Sequence, residues 1–163
     1  MALPDFFSFY GLPQTFRPDP ALVRRQYYAL SREHHPDRYA GSDDIKIAET
    51  LQMSALNNEA YRTLSDADAT FGYILRLHQI IEEEESYKLP PEFLMEMMEL
   101  NEAVDEGGEE AKLSYDAALE AWEASVAPLK ARFDAGEREE SLFARLKDAY
   151  YRKKYLHRLG ERL

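Results

Sequence analysis

The sequence predicts an all-α protein with an N-terminal helical domain and a C-terminal three-helix bundle. Seven Gly and eight Pro divide the 163 residues into stretches with helical periodicity, and no stretch shows the alternating pattern of a strand. Helix-starting signals precede these stretches: at Asp19, for example, a capping carboxylate is followed by Pro20 at the first helical position. The chain has no Cys, which excludes disulfides, thiolate metal sites and cysteine nucleophiles.

Four helices are expected in the N-terminal part. A short one covers residues 5–10, a second runs from Pro20 to about His34, and two more cover residues 43–64 and 66–77. The 3.6-residue period gives the second helix an apolar side and a roughly opposite cationic side. Val23, Tyr27 and Leu30 form the apolar side, and Arg24, Arg25 and Arg32 form the cationic side.

The C-terminal part follows a break in helical periodicity. The run from Glu82 to Tyr87 and the Pro90-Pro91 pair mark the break. We therefore expect an acidic linker over residues 81–91, between a domain over 1–80 and a three-helix bundle over 92–163. The bundle helices are expected at 91–106, 109–134 and 137–162, with Pro128 kinking or interrupting the second helix.

The net charge of −11 is concentrated in one segment. From Glu82 to Glu110 there are twelve acids and one base, whereas acids and bases balance over the rest of the chain. An acidic balance disfavours nucleic acid as a partner. The start of the chain has the pattern of neither a signal nor a transit peptide, and no apolar run reaches membrane-spanning length. A cytoplasmic protein without a membrane partner is therefore expected.

The triplet His35-Pro36-Asp37 ends the cationic helix. Pro36 moves His35 out of helical geometry, and Asp37 can hydrogen-bond the local backbone, so a stiff loop with a polar tip is expected. By itself the triplet also fits an ordinary helix C-terminus with an imidazole near the negative end of the helix dipole.

The surroundings of the triplet decide between these interpretations. The start Phe7-x-x-Tyr10-Gly11-Leu12, the cationic helix, the triplet and the later Asn58-Glu59-Ala60-Tyr61-x-x-Leu64-Ser65-Asp66 together resemble a J-domain. The resemblance implies that this part binds the ATPase domain of a seventy-kilodalton heat-shock chaperone and promotes ATP hydrolysis. It assigns the triggering loop to His35, Pro36 and Asp37, and the electrostatic surface to Arg24, Arg25, Arg32 and Arg38. Tyr28 and Ala29 stand where lysines are common, which favours a specialised chaperone.

A second pattern lies in the first helix after the linker. Its soft apolar side chains and carboxylates fall within one broad sector: Leu94, Met95, Met98, Glu99, Glu102 and Glu106. Such a sector suits partner binding, although bundle core beside a solvated glutamate face is the simpler interpretation of the helix alone.

Together, the J-domain pattern and this helix make the sequence resemble the HscB-type co-chaperones of iron–sulfur cluster biogenesis. The resemblance extends over nearly the whole chain. The resemblance implies that the same six residues, with Tyr155 on the last helix, bind the scaffold protein on which clusters are assembled. Met98 stands where leucine is usual and Tyr155 where phenylalanine is expected. The cysteine-rich zinc element frequent in eukaryotic members is absent, which favours a bacterial-type cytoplasmic protein.

Other functions fit the sequence less well. The four His and the carboxylates show no di-iron or zinc-protease spacing, and no acid is paired with a base or nucleophile, so we expect no metal, no cofactor, no small-molecule substrate and no catalysis. A J-domain adaptor for a different client remains an alternative. So does a nucleic-acid binder that uses the basic last helix, although these bases are more simply matched to the acidic segment of the same chain.

Overall fold

The computed structural model describes residues 3–163, in which all regular structure is helical. Seven α-helices occur in this range, and a short 3₁₀ helix, Pro36–Tyr39, lies between the second and the third. The α-helices are α1 (Phe6–Tyr10), α2 (Pro20–Glu33), α3 (Asp44–Leu64), α4 (Ala67–Leu77), α5 (Pro91–Glu106), α6 (Glu109–Asp134) and α7 (Glu140–Gly160). The predicted all-α fold is confirmed.

The chain forms two compact units that divide between Ile74 and Leu75, within α4. The predicted division into 1–80, 81–91 and 92–163 remains a prediction about domains. The residues expected in the linker fold with the second unit, because Ile81 is buried and Tyr87 stacks on Tyr151 of α7 at 4.7 Å between ring centroids.

In the first unit, α2 packs on α3 over an apolar core. The core side chains are Phe7, Tyr10, Phe16, Val23, Leu56, Ala60, Leu64, Phe71 and Ile74. One buried amide, that of Asn57, interrupts this apolar set. Its Oδ1 accepts from the Tyr10 hydroxyl at 2.8 Å, and its Nδ2 donates to the Tyr27 carbonyl and the Ser31 hydroxyl at 3.0 Å each. The buried amide is therefore satisfied on both sides.

In the second unit, α6 packs on both α5 and α7. The core is apolar: Phe93, Met97, Leu100 and Val104 from α5, Trp122, Val126 and Phe133 from α6, and Leu142, Leu146, Leu156 and Leu159 from α7. The Trp122 indole N–H donates to the Ala149 carbonyl at 2.8 Å, which joins α6 to α7. These three helices form the predicted bundle.

Two predicted features of the bundle helices are corrected. Helix α6 continues through Pro128, so of the two predicted effects the interruption is wrong and the kink stays a prediction: Val126 and Phe133 are buried on either side of the proline, and their packing offsets the lost hydrogen bond. Helix α7 begins at Glu140 rather than at residue 137. The Arg138 guanidinium instead donates to the Phe133 carbonyl at 2.6 Å, which holds residues 137–139 against the end of α6.

Candidate partner-binding surfaces

The His35-Pro36-Asp37 triplet forms an exposed loop at the end of α2. His35 has extended backbone angles, φ −68° and ψ 131°, as expected of a residue before proline. The Asp37 backbone N–H donates to Nδ1 of His35 at 3.2 Å, and the Asp37 carboxylate lies 3.7 Å from the same nitrogen. The imidazole is 57% exposed and the carboxylate 92% exposed. All three residues are therefore open to a partner.

Two neighbouring residues, which the sequence analysis did not single out, hold this loop in place. The Tyr39 hydroxyl donates to the Glu33 carbonyl at 3.0 Å, which ties the loop back to the last turn of α2. The Lys46 ammonium lies 5.0 Å from the Tyr39 ring centroid and ties the loop to α3. Arg38 has a similar role, since its guanidinium lies 3.4 Å from the Arg32 carbonyl. The sequence signal for this contact is the aromatic Tyr39, two positions after the triplet.

The arginines on the cationic side of α2 are exposed. Arg24 and Arg25 form no ion pair or hydrogen bond through their side chains to any other residue within 3–163, and neither does the Arg32 guanidinium. Val23, on the opposite side of the helix, is buried, as predicted. The positive charge of the cationic side is therefore available to bind a partner.

On α5, exposure separates the predicted partner face from the bundle core. Met95 and Met98 are 68% and 64% exposed and Leu94 is 40% exposed, whereas Met97 is only 4% exposed. Assigning Leu94, Met95 and Met98 to the bundle core is therefore wrong. The core positions are instead offset by one residue, and the three side chains form an apolar patch on the protein surface.

The carboxylates beside this patch are also unpaired. Glu99, Glu102 and Glu106 are exposed, and within residues 3–163 none of them forms an ion pair. Asp105 differs, because the Arg162 guanidinium donates to its carboxylate and to the Asn101 side chain. The face of α5 thus combines exposed apolar side chains with unpaired negative charge, which suits a partner with apolar and basic groups.

Tyr155 of α7 contacts the same helix, α5, at Phe93. Its ring meets the Phe93 ring edge-on, with 6.1 Å between centroids, and the Arg158 guanidinium lies 5.7 Å from the Tyr155 centroid. Phe93 directly precedes Leu94 and is itself buried. The structure therefore places Tyr155 beside Phe93 of α5, and a scaffold site that includes Tyr155 stays a prediction. Phe93, which Tyr155 contacts, was not singled out from the sequence, because helical periodicity does not show which residue of α5 meets α7.

Three of the six lysines and arginines of α7 are paired within the second unit. Lys147 donates to the Glu85 carboxylate, the Arg152 guanidinium lies 2.6 Å from Asp148, and Lys153 lies 3.7 Å from Glu123. Arg162, just beyond the helix, pairs with Asp105 as described above. Glu85 and Asp105 both belong to the acidic segment, so the predicted match between acidic and basic parts of the chain is observed.

Residues 3–163 contain neither a cluster of metal-binding side chains nor a membrane-spanning helix. Across the part of the chain that the structure describes, no three His, Asp or Glu side chains are grouped so that they could hold a metal ion. Over the same residues, no helix has the length and apolar character needed to cross a bilayer.

Comparison with known proteins identifies the family. A family model described as the HSCB C-terminal oligomerisation domain matches residues 89–163. A co-chaperone protein HscB homolog from Cupriavidus taiwanensis is 35% identical over 141 residues, which cover 83% of this chain and 80% of the relative. The chain belongs to the HscB co-chaperone family.

Solved structures of HscB proteins have the same fold. The crystal structure of human co-chaperone protein HscB matches with a TM-score of 0.83 and 27% identity, covering 99% of this chain and 81% of the human chain. Chaperone HscB from Vibrio cholerae matches with a TM-score of 0.73 and 27% identity, covering 97% and 94% of the two chains. The resemblance to HscB-type co-chaperones, a J-domain followed by a helical C-terminal domain, is confirmed. A member of this co-chaperone family has a chaperone as partner.

Proposed function

We propose that this HscB-family chain stimulates the ATPase of a specialised seventy-kilodalton heat-shock chaperone and delivers the iron–sulfur cluster scaffold protein to it. The chain would perform no hydrolysis itself and would need no cofactor, since the chaperone hydrolyses the ATP. Both partners would be cytoplasmic, the compartment expected from the sequence. The observation that best supports the proposal is the pair of exposed, oppositely charged surfaces, one in each compact unit.

The first surface would trigger the chaperone. The exposed loop His35, Pro36 and Asp37 lies at the C-terminal end of α2, and the unpaired Arg24 and Arg25 lie on the same helix. Arg32 and Arg38 extend this positive surface to the loop. Unpaired cations steer an acidic partner and fix its register, while the stiff loop presents an imidazole and a carboxylate in one geometry.

The second surface would hold the scaffold protein. Leu94, Met95 and Met98 would bury their apolar side chains against it, and Tyr155 would add a half-buried aromatic ring at the edge. Glu99, Glu102 and Glu106 would pair with basic groups of the scaffold. Methionine side chains adapt to an irregular surface, so Met98 in place of leucine keeps this mode of binding.

The triggering role is tested by the steady-state ATPase rate of the purified cognate chaperone, with and without the chain and with and without scaffold. We expect stimulation that grows when the scaffold is also present. Asp37→Asn should abolish the stimulation, while calorimetric binding of the scaffold persists. Stimulation by Asp37→Asn equal to that of the unmodified chain would refute the assignment of the loop.

The scaffold role is tested by a complementary variant. Replacing Leu94, Met95 and Met98 together by Ala should abolish scaffold binding in calorimetry but leave basal stimulation of the chaperone intact. Met97→Ala is the matched control, because it removes a methionine from the same helix at a buried position. It should lower the free energy of unfolding by about 2–5 kcal/mol and, where folded, still bind scaffold. Full affinity of the triple variant would show that the face is misassigned.

A further inference from the structure

A pocket of about 290 Å³ lies in the first unit at the start of α2. Half of its lining residues are the loop residues Phe16 and Arg17, the α2 residue Arg24, and Tyr61 and Leu64 near the end of α3. The triplet loop lies at the opposite end of α2. Since α2 has 14 residues, the two ends are about 20 Å apart.

The pocket has two cations at its wall and no acid paired with them. Within residues 3–163, neither the Arg17 nor the Arg24 guanidinium has an ion-pair or hydrogen-bonding partner. Asp19 and Asp66, which adjoin lining residues in sequence, cap helices: their carboxylates accept from the Ala21 backbone N–H at 2.9 Å and from the Ala69 backbone N–H at 2.8 Å. Both guanidinium groups of the pocket are thus unpaired within residues 3–163, in contrast to Lys147, Arg152 and Lys153 of α7.

The inner wall of the pocket is apolar and its rim is stiff. Phe16 and Leu64 are buried. The Thr70 hydroxyl at the wall donates a hydrogen bond to the Thr63 carbonyl at 2.8 Å. Pro18 and Pro20 fix the backbone at the mouth. A carboxylate bound here would meet guanidinium donors beside a low-dielectric wall, where charge-assisted hydrogen bonds are stronger than in water.

We propose that this pocket is a second docking point for the chaperone and binds an acidic side chain flanked by an apolar group. The inference rests on the proposed function. The chaperone is the favoured occupant because Arg24 belongs both to the pocket and to the cationic side of α2. A globular partner seated on the triplet loop and lying along that side reaches the pocket about 20 Å away. Contact at both ends of α2 would fix the orientation of the chaperone.

Arg17→Glu tests the proposal, with Arg62→Glu as the matched control. Arg62 is an exposed, unpaired arginine of the same unit that does not line the pocket, so both variants change the net charge equally. We expect Arg17→Glu to raise the chaperone concentration at half-maximal binding on the order of tenfold, with little effect from Arg62→Glu. Maximal ATPase stimulation at saturation should be unchanged, because the triplet loop is intact.

A second variant tests the shape of the pocket without changing its charge. Ala67 is exposed at the mouth, and Ala67→Phe should weaken chaperone binding several-fold by filling it. Equal affinities for Arg17→Glu and Arg62→Glu would overturn the inference, as would NMR shifts showing that inorganic phosphate alone saturates the pocket. A different result would contradict the proposed function itself, namely stimulation of the chaperone by Asp37→Asn equal to that by the unmodified chain.

Discussion

His35 and Asp37 are joined by a hydrogen bond across the bend between them, with 3.2 Å between the imidazole Nδ1 and the Asp37 backbone N. Because Nδ1 accepts, the neutral ring has its proton on Nε2, which remains a free donor. His35 therefore has two separable roles, since one nitrogen stabilises the turn and the other is available to a partner.

Substitutions at His35 separate these roles. His35→Asn keeps a side-chain acceptor for the Asp37 N–H, as in an Asx turn, whereas His35→Ala removes it. We expect both variants to lose stimulation of the chaperone ATPase, because both lack the Nε2–H edge. Both should unfold within about 0.5 kcal/mol of the unmodified chain in urea titrations, because the residue is exposed. Normal stimulation by His35→Asn would mean that the turn, not the imidazole, is what the chaperone requires.

The buried amide of Asn57 predicts that loss of a single hydroxyl, that of Tyr10, measurably lowers the free energy of unfolding. Tyr10→Phe removes the donor to Asn57 Oδ1 and leaves a buried acceptor unsatisfied. We expect the free energy of unfolding to fall by about 1–3 kcal/mol in denaturant titrations. Tyr28→Phe is the control: its hydroxyl is solvent-accessible, so its effect should stay within about 0.5 kcal/mol. Equal effects of the two variants would argue against the network.

Glu85 predicts a pH dependence of stability in the second unit. Its carboxylate accepts from Lys147 and, at 2.8 Å, from the Tyr151 hydroxyl, and these hydrogen bonds lower the pKa of Glu85 below its ordinary value of 4.5. A carboxyl group with a lowered pKa in the folded state contributes stability above its ordinary pKa, and that contribution is lost as the pH falls through the folded value.

Glu85→Gln should therefore unfold at lower urea concentration than the unmodified chain at pH 7. The difference should shrink as the pH falls below about 4.5, because the unmodified chain then loses the same contribution. Glu83→Gln, at an exposed neighbouring position, should show no difference at either pH. A gap between Glu85→Gln and the unmodified chain that does not change with pH would show that the carboxylate charge is not what stabilises the segment.

Helix boundaries were predictable from the sequence wherever a local signal marks them. Asp19-Pro20 starts α2 and Gly107 follows α5, and both ends lie where predicted. The start of α7 was missed because the contact of Arg138 with the end of α6 is not encoded in local spacing. Tertiary packing also overrode the local signal at Pro128.

The residues of the candidate sites could be predicted from the sequence, but their solvent exposure could not. The sequence places Met97 and Met98 on adjacent positions of one helix and cannot say which one faces α6; the fold buries Met97 and exposes Met98. The contacts of Glu85 and Tyr87 with α7 join residues about sixty positions apart, so no periodicity could reveal them. Long-range pairing of this kind follows only from the packed structure.

At Gly160, near the end of α7, helix propensity and steric crowding predict opposite effects of Gly160→Ala on the free energy of unfolding. Helix propensity alone makes Gly160→Ala stabilising by about 0.5–1 kcal/mol. A Cβ at this position, however, would meet the Tyr115 hydroxyl oxygen on α6 first and would lie 2.6 Å from Cζ of the same ring, which is closer than van der Waals contact allows. We therefore expect Gly160→Ala to lower the free energy of unfolding by about 1–3 kcal/mol.

A double-mutant cycle isolates this contact. In a Tyr115→Ala background the obstructing ring is absent, and Gly160→Ala should become neutral or stabilising, giving a positive coupling energy of about 1–3 kcal/mol in urea titrations. Tyr115→Phe is an intermediate case: it removes the hydroxyl, which is the nearest atom, but keeps Cζ at 2.6 Å, so it should keep only part of the penalty. A stabilising Gly160→Ala in the unmodified background would mean that the Tyr115 ring moves aside without cost. The close approach of α6 to α7 would then not depend on glycine.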